Sequence, residues 1–174
     1  MSKEFDEGNL LFDFRAFNTA ERFDDKKKNP HGMKAVDFIA ETNDGLYFVE
    51  VKDFQHPGAT DDRRKEDYEM LTKKETKEHA KFILEMGEKI KDSLLRKYAE
   101  GYVFEKRVTY LLFINLDELD ANARRLLFDK IQGHVPTGLN HVARFPAFTW
   151  ISFDLVNASR LEQQYGIVCT PVVP

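Results

Sequence analysis

The sequence predicts an α/β protein, a single domain over residues 1–174 in which strands and helices follow one another. Three observations lead there. Residues 33–53 carry two apolar strand patterns around the turn signal Asn43-Asp44-Gly45, the clearest hairpin in the chain. From about Arg64 to Ala99, apolar residues such as Tyr68, Leu71, Phe82, Met86, Ile90 and Leu94 recur at helical spacing and predict one long helix. The run Tyr110-Leu111-Leu112-Phe113-Ile114 is too short for a free helix and suits a central strand covered on both faces.

In chain order, Asn9 to Phe17 alternates weakly and opens as a short strand. Asn18 or Thr19 caps a helix through Ala20, Glu21, Arg22 and Phe23, which the Lys26-Lys27-Lys28-Asn29-Pro30-His31-Gly32 stretch ends. Met33 to Glu41 and Leu46 to Asp53 form the hairpin strands, and Pro57-Gly58 marks a loop before the long helix. After the Val108 to Asn115 strand, Asp117 or Asp120 caps a helix that Gly133 and Pro136 stop, with a loop reaching Pro146. Phe148 to Val156 reads as another buried strand. Asn157 caps a short helix to Tyr165, Gly166 fits its end, and Ile167 to Val173, interrupted by Pro171, suits a final strand near an edge.

Composition excludes several classes. With 42% hydrophobic and 32% charged residues, and 15 Phe, the chain is globular and able to bury a core without staples. A lone cysteine, Cys169, permits neither an internal disulfide nor a multi-cysteine zinc site, so the expected compartment is reducing and cytoplasmic. Met1 to Gly8 lacks the basic start and apolar run of a signal peptide, and no stretch approaches the roughly 18 apolar residues of a membrane span. The net charge of -4 neither requires nor forbids nucleic-acid binding, because a basic face can coexist with an acidic total.

The chemistry sits on the hairpin. Residues two apart in a strand point to the same side, so Glu50 and Lys52 share one face while Val49 and Val51 share the other. If Asp44-Gly45 is a two-residue loop, Asn43 pairs with Leu46, Ile39 lies opposite Glu50, and Asp37 lies opposite Lys52 on the same face. A three-residue loop would reverse this parity. Two converging carboxylates repel unless a proton or a cation sits between them. Hard oxygen ligands favour Mg2+ or Mn2+ over zinc, and Mg2+ bound by one or two carboxylates keeps positions open for phosphate oxygens. Lys52 would orient or activate the attacking water and offset charge developing at phosphorus.

Asp37, twelve intervening residues and then Glu50-Val51-Lys52 resemble the signature of the PD-(D/E)XK nuclease superfamily, with Val36 where the written motif has Pro. The wider strings Met33-Lys34-Ala35-Val36-Asp37-Phe38-Ile39 and Phe48-Val49-Glu50-Val51-Lys52-Asp53 look like small bacterial members of it, and the resemblance covers Leu11 to Asp53. It implies a restriction endonuclease-like fold: a mixed β-sheet flanked by helices, here with a long helix after the motif hairpin. It also implies that Asp37 and Glu50 bind the metal with the Val51 carbonyl, and that Lys52 assists the hydrolytic water. Many members have a further acid on the preceding helix, and Glu21 is the matching position.

The expected function is a metal-dependent nuclease, a hydrolase of phosphodiester bonds with DNA favoured as substrate. The alternative is a nuclease-fold module that binds a protein or nucleic-acid partner without cutting, and the long helix leaves room for a homodimer. His31, His56, His79, His134 and His141 show no metal-ligand spacing and read as structural or surface groups. The Lys26-Lys27-Lys28 and Arg63-Arg64-Lys65 runs read as solvated charge or as grips on a phosphate backbone. No glycine-rich phosphate loop and no Gly-x-Ser-x-Gly turn occurs, which removes nucleotide-driven motors and serine hydrolases.

Overall fold

The computed structural model describes residues 3–25, 29–73, 76–138 and 151–172. The Lys26-Lys27-Lys28 run, His141, Pro146, Phe148 and Val173 lie outside them.

Five strands form the main sheet: β3 (Thr19–Arg22), β4 (Phe38–Glu41), β5 (Gly45–Asp53), β6 (Arg107–Asn115) and β7 (Ile151–Val156), in that spatial order. The β3-β4-β5 half is antiparallel and the β5-β6-β7 half parallel, so the sheet is mixed. Connection length explains the division. A four-residue loop can only return a strand antiparallel, whereas helices α1 (Asp61–Thr72) and α2 (Lys77–Ala99) carry the chain back from β5 to start β6 in the same direction. Helix α3 (Ala121–Gln132) lies between β6 and β7, and α4 (Ala158–Tyr165) follows β7. A smaller antiparallel sheet joins β1 (Glu4–Glu7), β2 (Leu10–Asp13) and β8 (Val168–Pro171) in the order β1-β2-β8.

The strand alternation of β5 sets the layers. Leu46 and Phe48 face a core shared with Leu71, Phe82, Met86, Ile90 and Leu127 of α1, α2 and α3. Val49 and Val51 face a second core built with Phe12 and Phe14 near the small sheet and Leu161 of α4. The central run Tyr110 to Ile114 on β6 is buried on both sides, as its unbroken hydrophobicity predicts. The expected caps also hold: Asp120 accepts from the N–H of Ala123, Asn157 from that of Arg160, and Gly166 closes α4 at φ 69°.

Three expectations are corrected. The residues around Ala20-Glu21-Arg22 form strand β3, not a helix: so short a segment gains little from helix nucleation, while an extended chain satisfies the open edge of β4. The helix from Arg64 to Ala99 is two helices. Lys73 leaves helical geometry, and Thr76 starts α2 afresh by accepting from the N–H of His79 at 3.1 Å. In the hairpin, Glu41 rather than Asn43 pairs with Leu46, because the Thr42 hydroxyl accepts from the Gly45 N–H at 3.0 Å and closes a four-residue loop. The register therefore moves by two residues, which preserves the facing of every side chain. The acidic first residues also contribute β1, which returns through Gly8 at φ 61°.

Gly87, inside α2, faces His134: a Cβ there would lie 2.6 Å from the His134 Cβ and 2.9 Å from its carbonyl oxygen. Helix propensity alone favours Gly→Ala by about 1 kcal/mol, but this close approach reverses the sign. Gly87→Ala is expected to destabilise the protein by about 1–3 kcal/mol, measurable as a lower midpoint in urea denaturation; a raised midpoint would show that the α2–His134 contact is not made.

Candidate functional site

The site begins where β4 is shorter than its neighbour. Paired positions run from Glu41↔Leu46 to Phe38↔Val49, and β5 then continues alone along this edge to Asp53. One step past the last pair, Asp37 comes opposite Glu50. With no β4 backbone beside it, the Val51 N–H finds its acceptor in Asp37 Oδ2, at 2.6 Å. Since a paired strand residue directs its N–H and C=O to the same side, the Val51 carbonyl is aimed at the same gap. The residues leading into Asp37 are held by α2: the Ser93 hydroxyl accepts from the Val36 N–H at 3.0 Å, and Asp92 from the Lys34 N–H at 2.9 Å.

Glu50 lies on the same face and is completely buried. Burying a carboxylate without compensation is prohibitively costly, and two lysines supply it. Lys52 Nζ lies 2.6 Å and Lys89 Nζ 2.9 Å from Glu50 Oε1, whereas Glu50 Oε2 has no hydrogen-bond partner among the described residues. Lys52 comes from the same strand and is partly exposed; Lys89 comes from α2 and is almost fully covered. Two carboxylates and two ammoniums make the group neutral as it stands.

The titration behaviour follows from this geometry. Burial first, and the Glu50 charge second, push the Asp37 carboxyl up to about 7 despite the opposing pull of Lys89 and the Val51 N–H. Burial by itself lowers the Lys89 pKa, but Glu50 and Asp37 outweigh it and hold the ammonium above the ordinary lysine range. Beneath them the fully buried Tyr110 phenol is held protonated by burial and by the same two carboxylates.

The expected Met33–Glu41 strand begins only at Phe38, so Asp37 comes from the segment that leads into β4 and there meets Glu50, Val51 and Lys52 of β5. Glu21 is placed differently. It sits on β3 opposite Ile39, half exposed, with Oε1 2.7 Å from Lys97 Nζ, so it is a diagonal neighbour of Asp37 engaged with a different cation. Lys34 is likewise engaged, 2.9 Å from Glu88. The residue that sequence reasoning missed is Lys89. Its signal was present: it stands three residues beyond Met86 and seven beyond Phe82, on the stripe that α2 buries. A lysine at such a position needs an acidic partner within the fold.

Among the described residues, no cluster of three or more His, Cys, Asp or Glu side chains is placed to hold a metal ion. The donor set that is present, two carboxylates with a carbonyl aimed at the same gap, suits a hard divalent cation of the Mg2+ kind, which needs few protein ligands. The unpartnered Glu50 Oε2 fits such an ion, and so does Asp37, whose carboxyl is pushed up to about 7 by burial and by the Glu50 charge when no cation stands between the two acids. A groove of about 740 Å³ lies elsewhere, between α3, β7 and α4. Among the described residues, no helix is long and apolar enough to cross a membrane. Comparison of the chain with protein-family models, with curated proteins and with solved structures returned no match.

The raised Asp37 value makes a prediction about stability. A carboxyl that titrates near 3.8 when unfolded and about 7 when folded binds its proton more tightly in the folded protein. The unfolded chain therefore loses that proton first, and stability falls as pH rises from 4 to 7, by a few kcal/mol at ~1.4 kcal/mol per unit. Asp37→Asn should remove this loss: in EDTA its urea midpoint is expected to exceed that of the native sequence at pH 8 and to match it near pH 4. Parallel stability curves across this range would refute the assignment.

Proposed function

We propose that the protein is a divalent-metal-dependent phosphodiesterase acting on nucleic acid, with DNA the favoured substrate. The observation that carries this reading is the juxtaposition of Asp37, at the entry to β4, with Glu50 on β5, with Lys52 beside them and one Glu50 oxygen left unpartnered. The resemblance of Asp37 and Glu50-Val51-Lys52 to the PD-(D/E)XK signature supports it, as does the mixed sheet flanked by helices. Asp37, Glu50 and the Val51 carbonyl are the residues that would hold Mg2+ or Mn2+. Such an ion supplies Lewis-acid polarisation of a phosphoryl oxygen and lowers the pKa of a bound water.

The chain's own groups divide the remaining work by their burial. Lys89, fixed under α2, balances Glu50 permanently. Lys52, at the partly exposed end of the strand pair, is the ammonium free to turn toward an attacking water or the phosphate. The Val51 N–H fixes the Asp37 carboxylate in orientation and commits one of its two oxygens. Glu21 remains a fourth, more distant carboxylate that would have to leave Lys97 to contribute.

A second reading, a nuclease-like fold that binds a partner without cutting, is favoured by one observation: Asp37, Glu50, Lys52 and Lys89 are already charge-balanced. The two readings separate on metal binding. Under the first, Mn2+ binds by calorimetry and activates cleavage of an oligonucleotide; Glu50→Gln and Lys52→Met each reduce the rate by about 10²–10³-fold, and Glu50→Gln also abolishes the binding heat. A folded native protein with neither Mn2+ binding nor cleavage would leave the second. Lys89→Met provides a further check. It removes a cation from the ion's neighbourhood, so Mn2+ binding should tighten while the metal-free protein loses stability through an under-compensated Glu50. Weaker Mn2+ binding in that variant would contradict the counter-charge role.

A further inference from the structure

Helix α2 buries one side against the sheet, with Phe82, Met86, Ile90 and Leu94 in the main core and Lys89 reaching Glu50. Its opposite side carries apolar residues of its own. Leu84 is 51% exposed, Leu95 58% and Tyr98 62%, so these three side chains contribute little to holding α2 in place. Their spacing says what would cover them. Lys81, Leu84, Glu88, Lys91, Leu95 and Tyr98 are all exposed and follow one another in alternating steps of three and four residues. That is the spacing of a seam between two helices running side by side, and it extends about 26 Å along α2.

The seam is complementary to itself when a second copy is laid against it antiparallel. With Leu84 against the partner's Leu95, Glu88 meets the partner's Lys91, and Lys81 meets the partner's Tyr98. A two-fold axis makes each of these contacts twice: two leucine pairs, two pairs of opposite charge and two ammoniums beside phenol rings. Other arrangements are penalised. A parallel pair would set Glu88 against the partner's Glu88 and Lys91 against the partner's Lys91. An antiparallel pair slipped by one heptad loses the ion pairs, and in one direction sets Lys81 against the partner's Lys91. Within the chain, Lys34 Nζ lies 2.9 Å from Glu88 and 4.0 Å from Glu85, so the acids along the edge of the seam have a cation of their own. Glu88 still keeps about half of its side chain exposed, which leaves room for a second lysine.

We propose that the outer face of α2 binds a second copy of this chain as an antiparallel helix pair, with the two-fold axis passing between Lys89 and Ile90. The pairing does not depend on the phosphodiesterase reading. It does bear on the same helix turn: the turn at the centre of the seam is the one whose inner side sends Lys89 to Glu50. Each copy therefore braces the helix that balances the other's buried carboxylate.

Sedimentation equilibrium of the full chain over a concentration series tests this. The native protein is expected to move from the mass of one chain toward twice that mass as concentration rises, and its thermal midpoint to rise with it. Leu95→Glu should raise the dimer dissociation constant at least about tenfold. Lys91→Glu sets Glu88 against an acid, and Glu88→Lys sets Lys91 against a lysine; each should weaken the dimer about tenfold. The double variant Glu88→Lys/Lys91→Glu restores opposite charges across the seam and should dimerise like the native protein. All three positions are exposed, and thermal melting of each variant at low concentration checks its fold. A native protein that stays monomeric throughout, leaving the stripe to a different protein or a membrane surface, overturns the proposal. So does a dimer that all three single variants leave intact, since its interface would lie elsewhere. A double variant no tighter than the two charge reversals would overturn the antiparallel register.

Discussion

Glu50 is a carboxylate with no access to solvent, and much of the surrounding structure is arranged to make that tolerable. An isolated charge in such a position would cost far more than a small domain's whole stability. Its compensation comes from two directions, along β5 from Lys52 and down from α2 through Lys89. Helix α2 must therefore lie across the sheet at this point, which in turn orders the segment before Asp37 through Ser93 and Asp92. The acid, its neighbour and the covering helix are mutually dependent.

Much of this was legible in the sequence because local rules govern it. The strands of the hairpin, the buried β6, and the caps at Asp120, Asn157 and Gly166 are set by alternation, uninterrupted apolarity and capping chemistry. The facing of Asp37, Glu50 and Lys52 was also legible, though by a route that needed correction. The observed hairpin loop is longer than the expected two residues by an even number, and parity is all that decides which side a side chain takes. Pairing Asp37 with Glu50 instead of Lys52 brings the two acids closer than the sequence count implied.

The misreadings share a physical cause, which is that tertiary context settled a local ambiguity. Thr19 to Arg22 can satisfy either a helix cap or a sheet edge, and only the presence of unpaired β4 backbone selects the strand. The break between α1 and α2 was hidden by continuous polarity, yet the apolar spacing already skipped from Leu71 to Phe82, and Thr76 stood ready as a cap. Lys89 was passed over as one more charge on a charged helix. Its position relative to Met86 and Ile90 places it inward, and an inward lysine implies a buried acid as surely as the acid implies the lysine.

The different lengths of β4 and β5 also bear on how the protein assembles. The hairpin is a local structure, closed by Thr42 and Gly45, and it can form before the distant parts of the chain arrive. Lys89 belongs to a helix that follows only after a loop and another helix. Until that helix docks, the segment before Asp37 is not held and Glu50 lacks one of its two balancing charges. During that interval the nascent sheet carries an unmet demand for positive charge, which a proton or a passing cation can satisfy until α2 docks.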